Sequence, residues 1–435
     1  MIKIKQIAAV VFVFYAFALI SIPAFAAAPQ DQEKITINGA GATFAAPIIR
    51  QFGHEYNNLH PNVEVQYQSI GSGGGIKEHT AKRVYFGASE APLNHDEEKI
   101  ADGTVTLPLT IGTIALAYNV PEIPTGLKIT GDIIADIYLG KIKKWNDPRL
   151  VELNPFDLPD KEILVVRRSD SSGTTYAFTD YLSSVSHEWA KKHGVAKSVN
   201  WPVGIGSPGN EGVSAFIKNV EYTFGYVELA YVLKQDHKYS FVQNKEGRFI
   251  APSIQSAKSA AALSINSLPD PSQSWSEVSL VNQAGASSYP ITSFSYFLVY
   301  KDLEKVNGMS EKSAKAFVDF LHWSLTDGQE HATKLLYVPL PQEVQDINKQ
   351  GLSLLKFKDQ QLYKHEVIEA GGKLKEIPSW IDSVTNSRIN YSDLSTEITC
   401  REGFEMLTKT SNNAPICVNP STVDQLVKRG FARYQ

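Results

Sequence analysis

From Lys34 onward, short apolar runs alternate with longer amphipathic stretches. The runs at 35–37, 63–67, 85–88, 163–166 and 224–227 have the length and the β-branched or aromatic content of buried strands. Between and after them, residues 44–56, 72–83, 128–139, 173–184, 213–220, 254–268, 310–326 and 328–335 predict helices, with Pro47 tolerated in a first turn. Two longer β-rich runs, 107–118 and 289–300, bracket the middle of the chain. Strand–helix alternation of this kind predicts an α/β fold, a mostly parallel sheet with helices on both faces. Paired long strands can carry the chain from one lobe to another and back, which places a ligand cleft between the lobes. Open α/β sheets also bind ligands beyond the carboxyl ends of their strands.

Three of the strand ends share one chemistry. The first runs into Gly39-Ala40-Gly41-Ala42-Thr43-Phe44, the second into Gly71-Ser72-Gly73-Gly74-Gly75, the third into Arg168-Ser169-Asp170-Ser171-Ser172-Gly173-Thr174. Each leaves backbone N–H groups at a helix start with a hydroxyl beside them, and helix N-termini attract anions. For Thr43, Ser72, Ser172 or Thr174 singly, helix capping is the default role. Three such junctions, one of them carrying an arginine, point instead to an oxyanion trap. Arg168 offers a planar fork that matches an oxyanion, and Asp170 stands where it can orient that fork. Period-two alternation turns Arg167 to the other side. Glu90 is an acid among small and apolar residues, in Phe86-Gly87-Ala88-Ser89-Glu90-Ala91-Pro92-Leu93. An ionised carboxylate only accepts hydrogen bonds, so it favours an oxyanion that carries a proton and repels one that does not.

Charge and targeting signals narrow the class. Met1-Ile2-Lys3-Ile4-Lys5, an apolar run and Ala24-Phe25-Ala26 form a secretory signal pattern, with cleavage expected after Ala26. Cleavage removes Lys3 and Lys5 and no acid, taking the formal charge from −4 to −6. An acidic chain without a basic stripe argues against nucleic-acid binding. Anion capture must then rest on local dipoles and hydrogen bonds. Cys400 and Cys417, with 16 residues between them, read as one disulfide in an exported protein. The histidines lack metal-ligand spacing, and neither G-x-S-x-G nor a Walker loop is met, so no cofactor or metal is expected.

Taken together, these junctions, with Gly204-Ile205-Gly206-Ser207-Pro208-Gly209-Asn210-Glu211-Gly212 and Gly225-Tyr226-Val227-Glu228, resemble the phosphate-binding protein family of high-affinity phosphate ABC importers, over about residues 35–345. The resemblance implies a type II periplasmic-binding-protein fold: two lobes joined by two crossover strands and closing like a hinge on one dehydrated phosphate. It implies phosphate contacts from Thr43, the Phe44 N–H, Ser72, Glu90, Arg168, Ser172, the Gly173 N–H and Thr174, with Asp170 bracing Arg168. The family usually has Asp where this chain has Glu90. The expected organisation is a signal peptide at 1–26, lobe I at 34–112 and 294–350, lobe II at 113–293, a linker at 351–390 and a small Cys-paired module at 391–435. The expected function is non-catalytic: a monomer, periplasmic or at the cell surface, that delivers phosphate to membrane permease subunits. A secreted phosphatase-like enzyme and an envelope adhesion or scaffold protein on the same fold are the alternatives.

Overall fold

The computed structural model describes residues 33–363 and three C-terminal strands, Glu405–Lys409, Pro415–Val418 and Ala432–Arg433. The signal segment 1–26 and Cys400 lie outside the described residues, as does most of the 351–390 linker. The strands of the main body are β1 (Ile35–Gly41), β2 (Val63–Ser69), β3 (Phe86–Ser89), β4 (Thr104–Asn119), β5 (Lys128–Ile129), β6 (Leu164–Arg168), β7 (Ile205–Ser207), β8 (Thr223–Glu228), β9 (Lys238–Tyr239), β10 (Phe241–Gln243), β11 (Phe249–Ile250) and β12 (Thr292–Tyr300).

One strand organises the rest. Residues Val105 to Tyr118 of β4 are all buried, which is why this stretch reads as a continuous apolar run rather than an alternating one. Its first part pairs with β12, from Thr104 opposite Tyr300 to Thr113 opposite Thr292. Its second part pairs with β8, from Ile114 opposite Glu228 to Asn119 opposite Thr223. The strand order β2-β1-β3-β12-β4-β8-β6-β7 therefore divides at β4 into two lobes.

Strand direction fixes where the junctions lie. β1, β2 and β3 are mutually parallel and antiparallel to β12, so they run the same way as β4. β8 is antiparallel to β4, and β6 and β7 are parallel to β8, so these three run the opposite way. The carboxyl ends of the two sets consequently face each other across the middle of β4. Helices pack on both faces; Ala46–Leu59, for example, buries Ile48, Phe52 and Tyr56, one above the other at four-residue spacing.

Several elements differ from the pattern-based expectation. Lys128–Ile129 is a strand paired with β10, and the helix starts only at Gly131. The helix expected over 254–268 stops at Ala261, and Leu268 is extended ahead of Pro269. Residues 327–335 form two 3₁₀ turns rather than an α-helix. Packing also continues past residue 350. The helix Gln342–Ser353 carries the chain onto β4, and Leu352, Leu355, Phe357 and Tyr363 are buried.

The helix Ser72–Thr80 sits hard against β1 and β3. A Cβ at Gly75 would lie 2.5 Å from Gly41 Cα, 2.7 Å from the Ala40 carbonyl oxygen and 2.9 Å from that of Ala88. These are backbone atoms, so no rotamer change relieves the clash. Gly75→Ala should therefore destabilise the protein by roughly 1–3 kcal/mol through overpacking. Urea denaturation checks this, and an unchanged midpoint would contradict the packing.

Candidate functional site

All three junctions deliver their polar groups to one place between the lobes. Lobe I contributes Thr43 and Phe44 after β1, Ser72 after β2 and Glu90 after β3, all buried. Lobe II contributes Arg168 at the end of β6 and Ser172 and Thr174 at the start of the helix Gly173–Val185, also buried. The lobes touch here. A Cβ on Gly173 would lie 2.5 Å from Ser72 Oγ and 2.6 Å from Glu90 Oε2, so only glycine lets this helix start approach lobe I. The backbone N–H groups of Gly173 and Thr174 belong to that first turn and have no intrahelical acceptor. Ser172 also caps the helix, its Oγ accepting the Thr175 N–H at 3.1 Å.

The charged groups are arranged in compensated sets. Arg168 donates to Asp170 twice, from Nε at 2.7 Å and from Nη2, and turns Nη1 to Thr174 Oγ1 at 3.3 Å. Asp170 further accepts the Gly209 N–H at 3.0 Å. Burial pushes the Asp170 carboxyl up, but the hydrogen bonds and charge of Arg168 outweigh it and hold it below the ordinary value. Arg167, half-buried, donates instead to the Arg168 carbonyl.

Glu90 is 2% exposed and lies where the lobes meet, against Gly173. Ser72 Oγ donates to its Oε2 at 3.1 Å and Ser295 Oγ to its Oε1 at 3.2 Å. Burial raises its carboxyl to about 7, although Arg168 and the two serines pull the other way. It is thus a poised acceptor in a site otherwise lined with donors. A second buried acid, Glu228, ends β8; burial pushes its carboxyl well up, and it accepts from the Ala230 N–H at 2.9 Å and Tyr337 Oη at 3.3 Å. Arg168 and Asp170 offset each other and both buried acids are shifted towards neutrality. An anion would meet dipoles rather than a net positive field.

The lobes are held together by several bonds beside this cradle. The Gly73 N–H donates to the Ser171 carbonyl at 3.0 Å, and Tyr231 Oη to the Thr43 carbonyl at 2.6 Å. Lys197 Nζ lies 2.6 and 2.7 Å from the two carboxylate oxygens of Glu97.

Two residues at the site escape a reading of the sequence. Asn210, fully buried, donates to both Thr43 and Thr174. Its signal is present, since Gly204–Gly212 followed by a helical stretch is a fourth strand–turn–helix junction. Ser295 lies inside an apolar strand and carries no such signal. Only the pairing of Tyr296 with Ser89 brings it to Glu90.

Comparisons with known proteins bear on this arrangement. A family profile described as a PBP superfamily domain matches residues 26–322. A "Phosphate-binding protein PstS" of Pasteurella multocida is 43% identical over 344 residues, covering 77% of this chain and 94% of the relative. The protein of that name in Methanocaldococcus jannaschii is 37% identical over 350 residues, covering 75% and 89%. In fold, the chain is similar to a high-affinity periplasmic phosphate-binding protein, PfluDING, whose structure was determined with phosphate bound. That match is 18% identical, covers 74% of this chain and 99% of the other, and has a TM-score of 0.58. With two lobes, a cleft lined by strand ends and relatives above 30% identity along most of their length, this chain belongs to the PBP superfamily and, within it, to the family of the phosphate-binding proteins PstS.

Proposed function

We propose that this protein captures one inorganic phosphate between its lobes and hands it to the membrane permease of an ABC importer, without catalysis. The observation that carries the reading is the pairing of opposite hydrogen-bond roles in one buried cleft. Arg168, the hydroxyls of Thr43, Ser172 and Thr174, and the N–H groups of Phe44, Gly173 and Thr174 are donors, and Ser72, whose one hydroxyl hydrogen lies on Glu90, would join them by turning from it. Glu90 is an acceptor. HPO₄²⁻ and H₂PO₄⁻ match that set, because each offers several acceptor oxygens and at least one P–O–H. Fully ionised sulfate leaves Glu90 facing a lone pair. Asp170 acts through Arg168, fixing the fork that would meet the ligand. The relatives' names support the same ligand.

Glu in place of the family's usual Asp adds one methylene. The longer side chain still finds two hydroxyl partners, Ser72 and Ser295, one on each oxygen. The signal pattern and the periplasmic relative support export, with the periplasm as the working compartment. In that compartment Cys400 and Cys417 are expected to pair. Cys417 lies on the strand Pro415–Val418, opposite Met406 of Glu405–Lys409. A loop of this size, once closed, should contribute about 3 kcal/mol to the local fold.

Three outcomes are expected. Isothermal titration should give one phosphate per chain and no heat with sulfate at pH 8; equal affinities would sink the reading. Lowering the pH through about 7 should protonate Glu90 and turn its acceptor into a donor. Sulfate binding should therefore appear as the pH falls from 8 to 5, and Glu90→Gln should bind sulfate already at pH 8 while losing roughly 10–100-fold in phosphate affinity. Selectivity that ignores both pH and the substitution would rule out Glu90 as the acceptor of the ligand's proton. Intact mass of the exported protein after alkylation should reveal no accessible thiol, and two alkyl adducts would refute the disulfide.

A further inference from the structure

Asn210 occupies a position from which one side chain reaches a hydroxyl of the cradle on each lobe. It lies in the first turn of the helix Gly209–Asn219, after β7, and is fully buried. Its Nδ2 donates to Thr43 Oγ1 of lobe I at 3.0 Å and to Thr174 Oγ1 of lobe II at 3.0 Å. Its backbone N–H also donates to Thr43 Oγ1, at 3.1 Å. The orientation of the amide is settled by its third neighbour. The Glu228 backbone N–H, which can only donate, lies 3.0 Å from Oδ1. The NH₂ group must then face the two threonines.

A hydroxyl has two acceptor lone pairs and one hydrogen. Thr43 Oγ1 receives two N–H donors, both from Asn210. Thr174 Oγ1 receives one from Asn210 and one from Arg168 Nη1 at 3.3 Å. With both lone pairs engaged, each hydroxyl has only its hydrogen left to offer. We propose that Asn210 is a positioning and specificity-determining residue: by filling the lone pairs of Thr43 and Thr174 it fixes both hydroxyls as donors toward the bound anion, one from each lobe. The inference deepens the phosphate reading and rests on it. It accounts for an amide at this position, because a hydroxyl has too few hydrogens to serve both threonines and a carboxylate has none.

The test separates hydrogen-bond direction from packing. Asn210→Asp keeps the shape but removes the donor; the introduced carboxylate accepts from Thr43 and Thr174 and turns their hydrogens away from the anion. Asn210→Ala removes the group and leaves both hydroxyls able to rotate. Phosphate titration of wild type and both variants at pH 8 should rank affinity as wild type, then Asn210→Ala, then Asn210→Asp, the last weaker than wild type by about 10–100-fold for two lost hydrogen bonds. A role in packing alone predicts the reverse order for the variants. Each variant is also compared with wild type at pH 5. Around position 210 lie Arg168, Asp170 through its bond to the Gly209 N–H, Glu211 next in the chain and Glu228. Among these acids and in a buried site, the introduced carboxyl should be protonated at pH 5 and regain a donor. The deficit of Asn210→Asp relative to wild type should shrink there, whereas that of Asn210→Ala should stay. Asn210→Asp binding as well as or better than Asn210→Ala at pH 8, or a deficit independent of pH, overturns the inference. If the aspartate variant does not fold by circular dichroism, Asn210→Ser takes its place: with one hydrogen for two threonines it should bind less tightly than wild type, and equal binding overturns the inference. Wild type that binds no phosphate defeats the functional reading and this one together; wild type that binds with the variants in reverse order defeats this one alone.

Discussion

A carboxylate buried in protein must be compensated or neutralised, because the charged form loses its water. The cleft is built around that constraint. Glu90 is compensated in part by two serine hydroxyls and by Arg168, and burial still lifts it to about 7. Such a group is costly as an idle structural feature. It becomes useful when the partner it needs is the proton of a ligand. The other charges follow from it: Arg168 is offset by Asp170, so the site is neither strongly positive nor strongly negative, and under the proposed function selection would rest on matching each donor to an acceptor.

The topology makes that matching possible. Because β4 runs through both sheets, and its neighbours in the two lobes run in opposite directions, every strand end that carries a hydroxyl-rich turn points into one gap. Contact between the lobes brings together half-sites that are each incomplete. Thr43, Ser72 and Glu90 come from one side; Arg168, Ser172, Gly173, Thr174 and Asn210 come from the other. Gly173 and Gly75 carry a small conformational cost that side chains would turn into a steric one, since Ser72, Glu90 and the β1 and β3 backbone occupy the space a Cβ would need.

The legible parts of this design are those with local signals. Gly, Ser and Thr clusters after apolar runs mark the strand–helix junctions, and the acid among small residues marks Glu90. The α/β class follows from alternation, but the sheet is mixed rather than mostly parallel, because β4 and β12 run antiparallel to their neighbours; the long strand β4 follows from an apolar run that no surface strand would carry. Ser295 is invisible in the sequence because its partner is set by strand register, a long-range property. The helix Gln342–Ser353 is hidden because polar positions interrupt its apolar stripe. Asn348 is buried there, its Nδ2 donating to the Pro108 carbonyl at 2.7 Å. The 3₁₀ turns at 327–335 are likewise set by tertiary bonds. Buried Gln329 donates to the Leu109 and Ser324 carbonyls and accepts the Leu340 N–H.

The central claim is that Glu90 faces the proton of the ligand while donors from both lobes surround its other oxygens. A crystal structure of the phosphate-bound protein at pH 8 tests it most directly. The account predicts a phosphate oxygen within hydrogen-bond distance of a Glu90 carboxylate oxygen, with Arg168, Thr43 and Thr174 contacting the remaining oxygens. Phosphate bound with Glu90 turned away, or bound outside the gap between the strand ends, would contradict it.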